Sequence, residues 1–589
     1  MQVNKTTQFY QNQLEKYELI LKTAKSKVRS LGFARLAMFL IICASIYFLG
    51  NEVMLFVVLP IELAGFLFLV HAFLDAKDLR KKVSLIIDLN KNELLTLEGN
   101  WSNFPDGFEY KNGAHPFSLD MDLFGPKSLY QLINRTALKA GSNKLASVLS
   151  YGSQNIEISN EAIKTFSEQV DWCQNFIIEG QLRVQEGKQR SITELKKIDF
   201  PNKIVLVLKW LIPIMSFGTL GLFLANLIPI SFLIISLVVV ISIVAQFLKS
   251  SNKVILPTTG LENEVSAMIR QLELLRIMEV QSQQTKGFIA KLTEGEDSFL
   301  AAFASLARIQ KRMSYRENIL VGTVLNVYFA WDFLFIDLFK TWLEKYSSKL
   351  EFWENQLAEV EVWISGGVYH FNFPESNFAS FTDGNDFTIS ELAHPFVNQQ
   401  KQIKNDINID SSENFLVITG PNMAGKSTYL RSVGVAILSA NAGFPVLAKR
   451  CVIPKVELYS SMRTSDDLTV ESSYFHAELT RLRFIMDAIE SGKSTFIILD
   501  EILKGTNSKD KEIGSARFLE KLDRLGARGI IATHDLSLTN LSEKNTAFRN
   551  VYFDSIISGS ELSFDYLVRE GVCKNMNASF LLKQMNLVD

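Results

Sequence analysis

Two almost wholly apolar blocks interrupt a chain that is otherwise amphipathic. Residues 36–49 and 53–74 form the first, with Gly50-Asn51-Glu52 between them as a turn and Pro60 and Glu62 inside the second arm. This pattern predicts a helical hairpin through a bilayer over 36–76. The first arm is short of the ~20 residues of a span unless it starts near Phe33 with Arg35 at the interface. Residues 1–35 carry Tyr10, Leu14, Ile20 and Leu21 among lysines and acids, the pattern of an amphipathic helix. The second block, 204–215 and 220–247, predicts a second hairpin over 204–248, with no charge between 229 and 245. Lys22, Lys25, Lys27 and Arg29 precede the first hairpin, and Lys77, Arg80, Lys81 and Lys82 follow it. Lys203 and Lys209 begin the second, and Lys249 and Lys253 follow. The bias puts all four ends on the cytoplasmic side.

Between and after the hairpins the period is helical. Residues 77–203 read as a connector and the first part of a helical core, with helices over 129–145 and 159–178 and a loop or small extended element over 92–116. Residues 249–367 read as a second helical part, with helices over 262–284, 298–315, 319–346 and 352–365, the last ended by Gly366-Gly367. The aromatic run 331–339 contains Asp332 and Asp337 and reads as a helix packed on helices, not a fifth span. From Val368 short strands and turns take over, so 368–589 is expected to be an α/β domain.

Composition changes this picture little. A chain of 589 residues holds about three or four domains, and a net charge of −2 gives no overall nucleic-acid signature. The four cysteines, Cys43, Cys173, Cys451 and Cys573, have neither zinc nor disulfide spacing, which fits a reduced compartment. The apolar run begins too late for a cleavable signal peptide.

The candidate chemistry lies near the C-terminus. Gly420 to Ser427 fits G-x-x-x-x-G-K-[ST] between an apolar strand and a helix. Gly420, Pro421, Asn422, Met423, Ala424, Gly425 and Thr428 would surround the phosphates of a nucleotide. Lys426 would reach the β- and γ-phosphates, and Ser427 would hold Mg²⁺. The strand 495–499 ends in Asp500-Glu501, a carboxylate for the Mg²⁺ shell followed by one to polarise the attacking water. A further strand from Ile530 ends at His534, placed to sense the γ-phosphate. The set describes ATP hydrolysis.

The motif set resembles the MutS family of DNA mismatch-recognition ATPases, relatives of the ABC ATPases. Thr419 to Thr428 matches T-G-P-N-M-x-G-K-S-T. Leu499 to Ser508, Ala532-Thr533-His534, Ser465 to Leu468, Glu471 to Glu478 and Leu392 to Val397 resemble the family's other ATPase segments, and Phe564 to Val572 its closing strand and turn. Leu119 to Thr136 and Ala304 to Asp332 resemble its helical core. The resemblance implies an all-α core and lever region driving an ABC-like α/β domain. It also implies ATP and Mg²⁺ as cofactors and a homodimer that closes across nucleotide, with Ser473 reaching the opposite subunit's γ-phosphate.

Three departures qualify it. No stretch matches the family's mismatch-reading domain with its F-x-E arrangement. Ser472-Ser473-Tyr474 replaces R-S-T, and Lys449 stands where bacterial repair proteins often carry Gln. Arg308, Lys311 or Arg312, and Arg316 fall near one helix face, either a phosphate-binding stripe for DNA or a solvated surface. The expectation is a multi-pass protein of the cytoplasmic membrane with its soluble domains in the cytoplasm, an ATPase acting on or near DNA. The alternative is an ATP-driven module for a membrane or repair-protein partner without DNA. Only four spans and the MutS-type ATPase motifs disfavour a transporter.

Overall fold

Helices α1 (Gln2–Leu49) and α2 (Leu55–Leu97), of 48 and 43 residues, form an antiparallel hairpin. The computed structural model describes residues 2–50, 52–184, 191–200, 204–258, 261–463, 474–503, 507–558 and 561–573. At ~1.5 Å per residue α1 is about 70 Å long, more than twice a bilayer's ~30 Å hydrocarbon core. The amphipathic stretch and the first apolar arm, distinct in composition, are therefore one unbroken helix. Gly32 does not interrupt it, because that position faces the Phe73 ring of α2. Arg35 stacks on the same ring at 4.3 Å. Deeper in the apolar part, Ser45 Oγ donates to Glu62 Oε1 at 2.6 Å, so the acid inside the predicted span is paired across the hairpin.

Beyond the apolar part α2 runs on into a helical body, where Val83, Ile86, Ile87 and Leu89 are buried. There it meets α6 (Val170–Val184) through Lys82–Glu179 at 2.7 Å and the reciprocal amides of Asn90 and Gln174. The expected helix over 129–145 is two helices, α3 (Leu129–Ile133) and α4 (Lys139–Tyr151). The next is α5 (Ile156–Ser167). The second hairpin is α7 (Ile204–Leu224) and α8 (Ile230–Thr258), joined across its upper half by Thr219 Oγ1 to Ser236 Oγ at 3.2 Å. With α1 and α2, they make four helices long and apolar enough to cross a membrane among the described residues. The remainder of the body is α9 (Leu261–Ile277), α10 (Gln283–Thr293), α11 (Phe299–Met313), α12 (Ile319–Phe329) and α13 (Trp331–Tyr346). The single helix expected over 319–346 is thus broken at Ala330, which has a left-handed φ of 51°.

Helix α14 (Leu350–Asn372) is the axis of the body and passes straight through Gly366-Gly367, the expected stop. Those glycines serve packing. A Cβ at Gly366 would meet Ile163 Cδ1 at 2.7 Å, and one at Gly367 would meet Phe166 Cβ at 2.7 Å, so α5 lies directly against the α14 backbone.

The α/β part begins with a four-stranded sheet ordered β1 (Ser380–Thr382), β5 (Arg450–Pro454), β2 (Phe387–Leu392), β3 (Asn405–Ile409). Behind it stands a six-stranded sheet ordered β12 (Val568–Glu570), β9 (Phe548–Phe553), β4 (Phe415–Thr419), β8 (Arg528–Ala532), β7 (Thr495–Asp500), β6 (Glu457–Ser461). All its pairings are parallel except that of β12. Strands β10 (Ile556–Ser558) and β11 (Glu561–Ser563) form a separate ribbon. Helices α15 (Lys426–Ala442), α16 (Tyr474–Glu490), α17 (Ser508–Arg524) and the short α18 (Leu541–Lys544) connect the parallel strands. The chain is therefore multidomain, a mostly helical N-terminal region followed by an α/β domain.

Glu361 of α14 gives the helical body a pH dependence. Its carboxylate accepts from the N–H groups of Ala137 and Leu138 and from Gln271, and Gly141 leaves the space it fills. Complete burial still pushes its pKa up to about 8 from an ordinary 4.5. The folded protein holds the protonated form, so this stabilisation is complete below the unfolded pKa and is lost as pH rises through the folded one. Glu361→Gln is expected to flatten the fall in thermal stability between those two values. The slope removed is at most about 1.4 kcal/mol per pH unit, read from unfolding of the detergent-solubilised protein.

Candidate nucleotide site

The six-stranded sheet is parallel around β4, so the carboxyl ends of β4, β7 and β8 open on one edge, where ligands of such sheets bind. β4 is buried along its whole length and ends at Gly420, whose φ of 143° only glycine adopts readily. A Cβ there would meet the Phe553 carbonyl at 2.6 Å. Met423 takes a left-handed φ of 68° and points its side chain outward, while Ala424 is buried beneath it. The chain enters α15 at Gly425, so Lys426, Ser427 and Thr428 form its first turn with its unpaired N–H groups. Among the named loop residues, Pro421 has no N–H to offer a phosphate.

Lys426 is nearly buried. Its ammonium donates to Gly420 O at 2.8 Å and Pro421 O at 2.9 Å, and lies 3.3 Å from His534 Nε2. Burial lowers its pKa, against the upward pull of Glu501 and Asp500. Ser427 Oγ donates to Asp500 Oδ2 at 2.7 Å. These two hard oxygens, one from each side of the loop, suit Mg²⁺, which keeps several waters and takes its other ligands from phosphate.

β7 and β8 pair Asp500 with Ala532, which sets the residues just beyond them side by side. Glu501 turns off the strand with a left-handed φ of 53° while its N–H donates to Ala532 O at 2.9 Å. This turn brings the Glu501 carboxylate to 2.7 Å from His534 Nε2. Lys426, His534 and Glu501 thus form one connected polar set, with Asp500 and Ser427 beside it. Non-glycine residues held in left-handed conformations cost on the order of 1–3 kcal/mol each and cluster at functional sites. The 501–503 turn has two, Glu501 and Leu503. Glu478 of α16 holds it, accepting from Leu503 N at 2.5 Å. The motif comparison includes Glu478 without a role; its tie to a strained turn 25 residues away is visible only in three dimensions.

Two further features draw on segments that the sequence marks without giving their residues a role. A cavity of about 200 Å³ flanks the loop, lined by His394, Lys401, Tyr429, Phe553 and Tyr566. Its aromatic walls and volume suit a nucleobase. Burial pushes the His394 pKa down to about 4, so its ring is neutral at ordinary pH. On the other side Asp120 reaches in from the helical body. It accepts from Ser460 Oγ at 2.6 Å and from the N–H groups of Met462 and Arg463, while its carbonyl accepts from Arg431 of α15. Asp122 pairs with Arg463 at 2.6 Å.

The remaining sequence candidates are dispersed. Ser473 lies outside the described residues. Lys449 pairs with Glu391 at 2.6 Å, not with any residue of the loop. Arg308, Lys311 and Arg312 are exposed on α11. Arg316 does not share their surface, because its guanidinium turns inward to Asp332 at 3.3 Å and to Asn252 at 3.0 Å.

Comparison with known proteins bears on the same region. MutS domain V matches residues 416–585. DNA mismatch repair protein MutS from Streptococcus pyogenes is 28% identical over 338 residues, 54% of this chain and 39% of that protein. MutS from Thermotoga neapolitana is 34% identical over 182 residues, 30% of this chain and 22% of that protein. MutS from Geobacillus sp. is 27% identical over 248 residues, 40% of this chain and 28% of that protein. The chain therefore spans well under half the length of these relatives. This match covers the strands and helices that carry Lys426, Asp500, Glu501 and His534, so residues 416–585 are similar to domain V of the MutS family.

Proposed function

We propose that this protein is a membrane-anchored ATPase whose nucleotide-driven closure acts on or near DNA. The observation that carries the reading is the connected set Lys426, Ser427, Asp500, Glu501 and His534 on one sheet edge. ATP would lie with its phosphates on the Gly420–Thr428 turn and its base in the cavity beside Tyr429 and Phe553. Lys426 would exchange the Gly420 and Pro421 carbonyls for phosphate oxygens. Ser427 and Asp500 would hold Mg²⁺, which neutralises charge on the phosphates. Glu501 would take a proton from the attacking water as its oxygen bonds to the γ-phosphorus and the bond to the β-phosphate oxygen breaks. ADP and phosphate are the products, and His534 keeps the Glu501 carboxylate aimed. A second copy, docked head to tail, would supply Ser473.

The four apolar helices support a multi-pass anchor in the cytoplasmic membrane, with the α/β domain on the lysine-rich, cytoplasmic side. DNA enters the proposal through the relatives, named as DNA mismatch repair proteins. A second reading, an ATP-driven module for a membrane or repair-protein partner without DNA, is favoured by one observation. The first hairpin continues without a break into the body that carries the ATPase.

Glu501→Gln is expected to retain ATP binding while hydrolysis falls by about 10²–10⁴-fold, and Lys426→Ala to lose binding as well. An unaltered rate in Glu501→Gln would remove Glu501 from the mechanism. DNA is tested separately, by retention of the detergent-solubilised protein on mismatched and branched duplex. ATP-sensitive retention that weakens steeply with salt is expected. No retention at low salt leaves the second reading.

A further inference from the structure

Helix α12 is apolar around most of its circumference and yet is not in the core. Its sequence, Ile-Leu-Val-Gly-Thr-Val-Leu-Asn-Val-Tyr-Phe, contains no charge. Ile319 and Leu320 are 82% and 80% exposed, and Val324 and Phe329 about half so, at 54% and 48%. Exposed apolar surface of this kind marks an interaction site.

The other side of α12 lies on the second hairpin. Ser216 Oγ of α7 donates to Val327 O at 2.6 Å, and the Phe217 ring meets those of Tyr328 and Phe329 at 5.6 and 5.4 Å. The 77° bend between α12 and α13 is a built feature. Asn326 accepts from Asp332 N at 2.9 Å and donates to its carboxylate at 3.1 Å, and Arg316 closes the same carboxylate. On the far side of the bend, Asp337 of α13 holds Lys209 of α7 at 2.5 Å. The position of α12 against α7 is therefore fixed by buried and partly buried polar contacts, while its outer face has no cover among the described residues. An 11-residue helix is about 16 Å long at ~1.5 Å per residue, about half of a bilayer's hydrocarbon core.

The basic cluster of α11 stands at the entry to this helix. Arg308, Lys311 and Arg312 are exposed, and no ion pair engages them among the described residues. Glu317 is the one acid between them and α12. Tyr315, 53% exposed, and Trp331, whose indole donates to Arg312 O at 3.0 Å, lie at the junction, the aromatic placement found where helices meet headgroups.

We infer that α12 is embedded in one leaflet against the second hairpin, and that Arg308, Lys311 and Arg312 hold anionic lipid headgroups at its entry. The inference rests on the reading of α7 and α8 as spans. Continuity with that hairpin selects the occupant. A duplex gripped by the three basic residues would leave Ile319 and Leu320 in water, whereas a bilayer satisfies both surfaces at once.

The test uses the full-length protein with Cys43→Ser, because Cys173, Cys451 and Cys573 are buried. A fluorescent label is placed in turn at L320C, at I214C on the outer face of α7, and at I513C on α17, and the protein is reconstituted with acyl-chain-brominated lipids. Quenching is expected at 320 and 214 but not at 513. Quenching at 214 without quenching at 320 overturns the inference while the spans stand. Its absence at both 214 and 320 overturns the spans themselves. Label self-quenching at 320 without bromine quenching would make α12 a contact between copies of the chain, and overturns the inference too. Brominated phosphatidylglycerol is expected to quench 320 several-fold more effectively than brominated phosphatidylcholine. R308Q/K311Q/R312Q should bring that preference to unity. A preference untouched by the triple substitution, with duplex retention lost instead, would reassign the cluster to DNA.

Discussion

A buried ion pair ties the first apolar hairpin, the helical body and the α/β domain together. Arg135 and Glu93 are each about 2% exposed and meet through two parallel bonds, of 2.5 and 2.9 Å. Taking both charges out of water costs several kcal/mol per ion, so such a pair holds only with excellent geometry and its remaining hydrogen bonds met. Both conditions are fulfilled. Arg135 also donates to the carbonyls of Leu132 and Asn134 and lies on the Phe104 ring. Asn372, the last residue of α14, donates to Glu93 and accepts from Tyr10 of α1. The knot therefore joins both arms of the first hairpin, the turn before α4 and the point where α14 gives way to the α/β domain. Loss of either charge would strand the other in a dry interior.

This arrangement explains why the sequence reveals the ends of the machine better than its middle. The phosphate loop is legible because its chemistry is local: Gly420, Gly425, Lys426 and Ser427 sit at fixed offsets between a buried strand and a helix. The apolar arms are legible for the same reason. The knot is not, because its members lie up to 362 residues apart and each looks ordinary where it stands. Gly366-Gly367 misleads because glycine both ends helices and lets them touch, and only the presence of α5 decides between the two. The break at Ala330 has no glycine or proline to announce it; Asn326, Asp332 and Arg316 impose it from outside the backbone. Arg316 reads as one of a basic stripe because helical spacing is blind to a buried acid on the next turn of the fold.

The stretch from Trp101 to Arg135 links the nucleotide site to the knot. It has little regular structure, yet Trp101, Phe104, Phe117, Met121 and Leu123 are buried, and Gln131 holds the carbonyls of Ser102 and Phe104. One end is Arg135. Near its middle, Asp120 and Asp122 grip Arg431 on the helix that starts at Lys426 and Arg463 at the end of β6. A displacement of α15 would act on Asp120 directly. Because the stretch is packed and hydrogen-bonded along its length, it would pass such a displacement on instead of absorbing it. The Arg135 end is locked to Glu93 on α2, a helix that continues without a hinge toward the apolar hairpin. Irregular backbone here is thus a packed link between α15 and α2, not a loose loop.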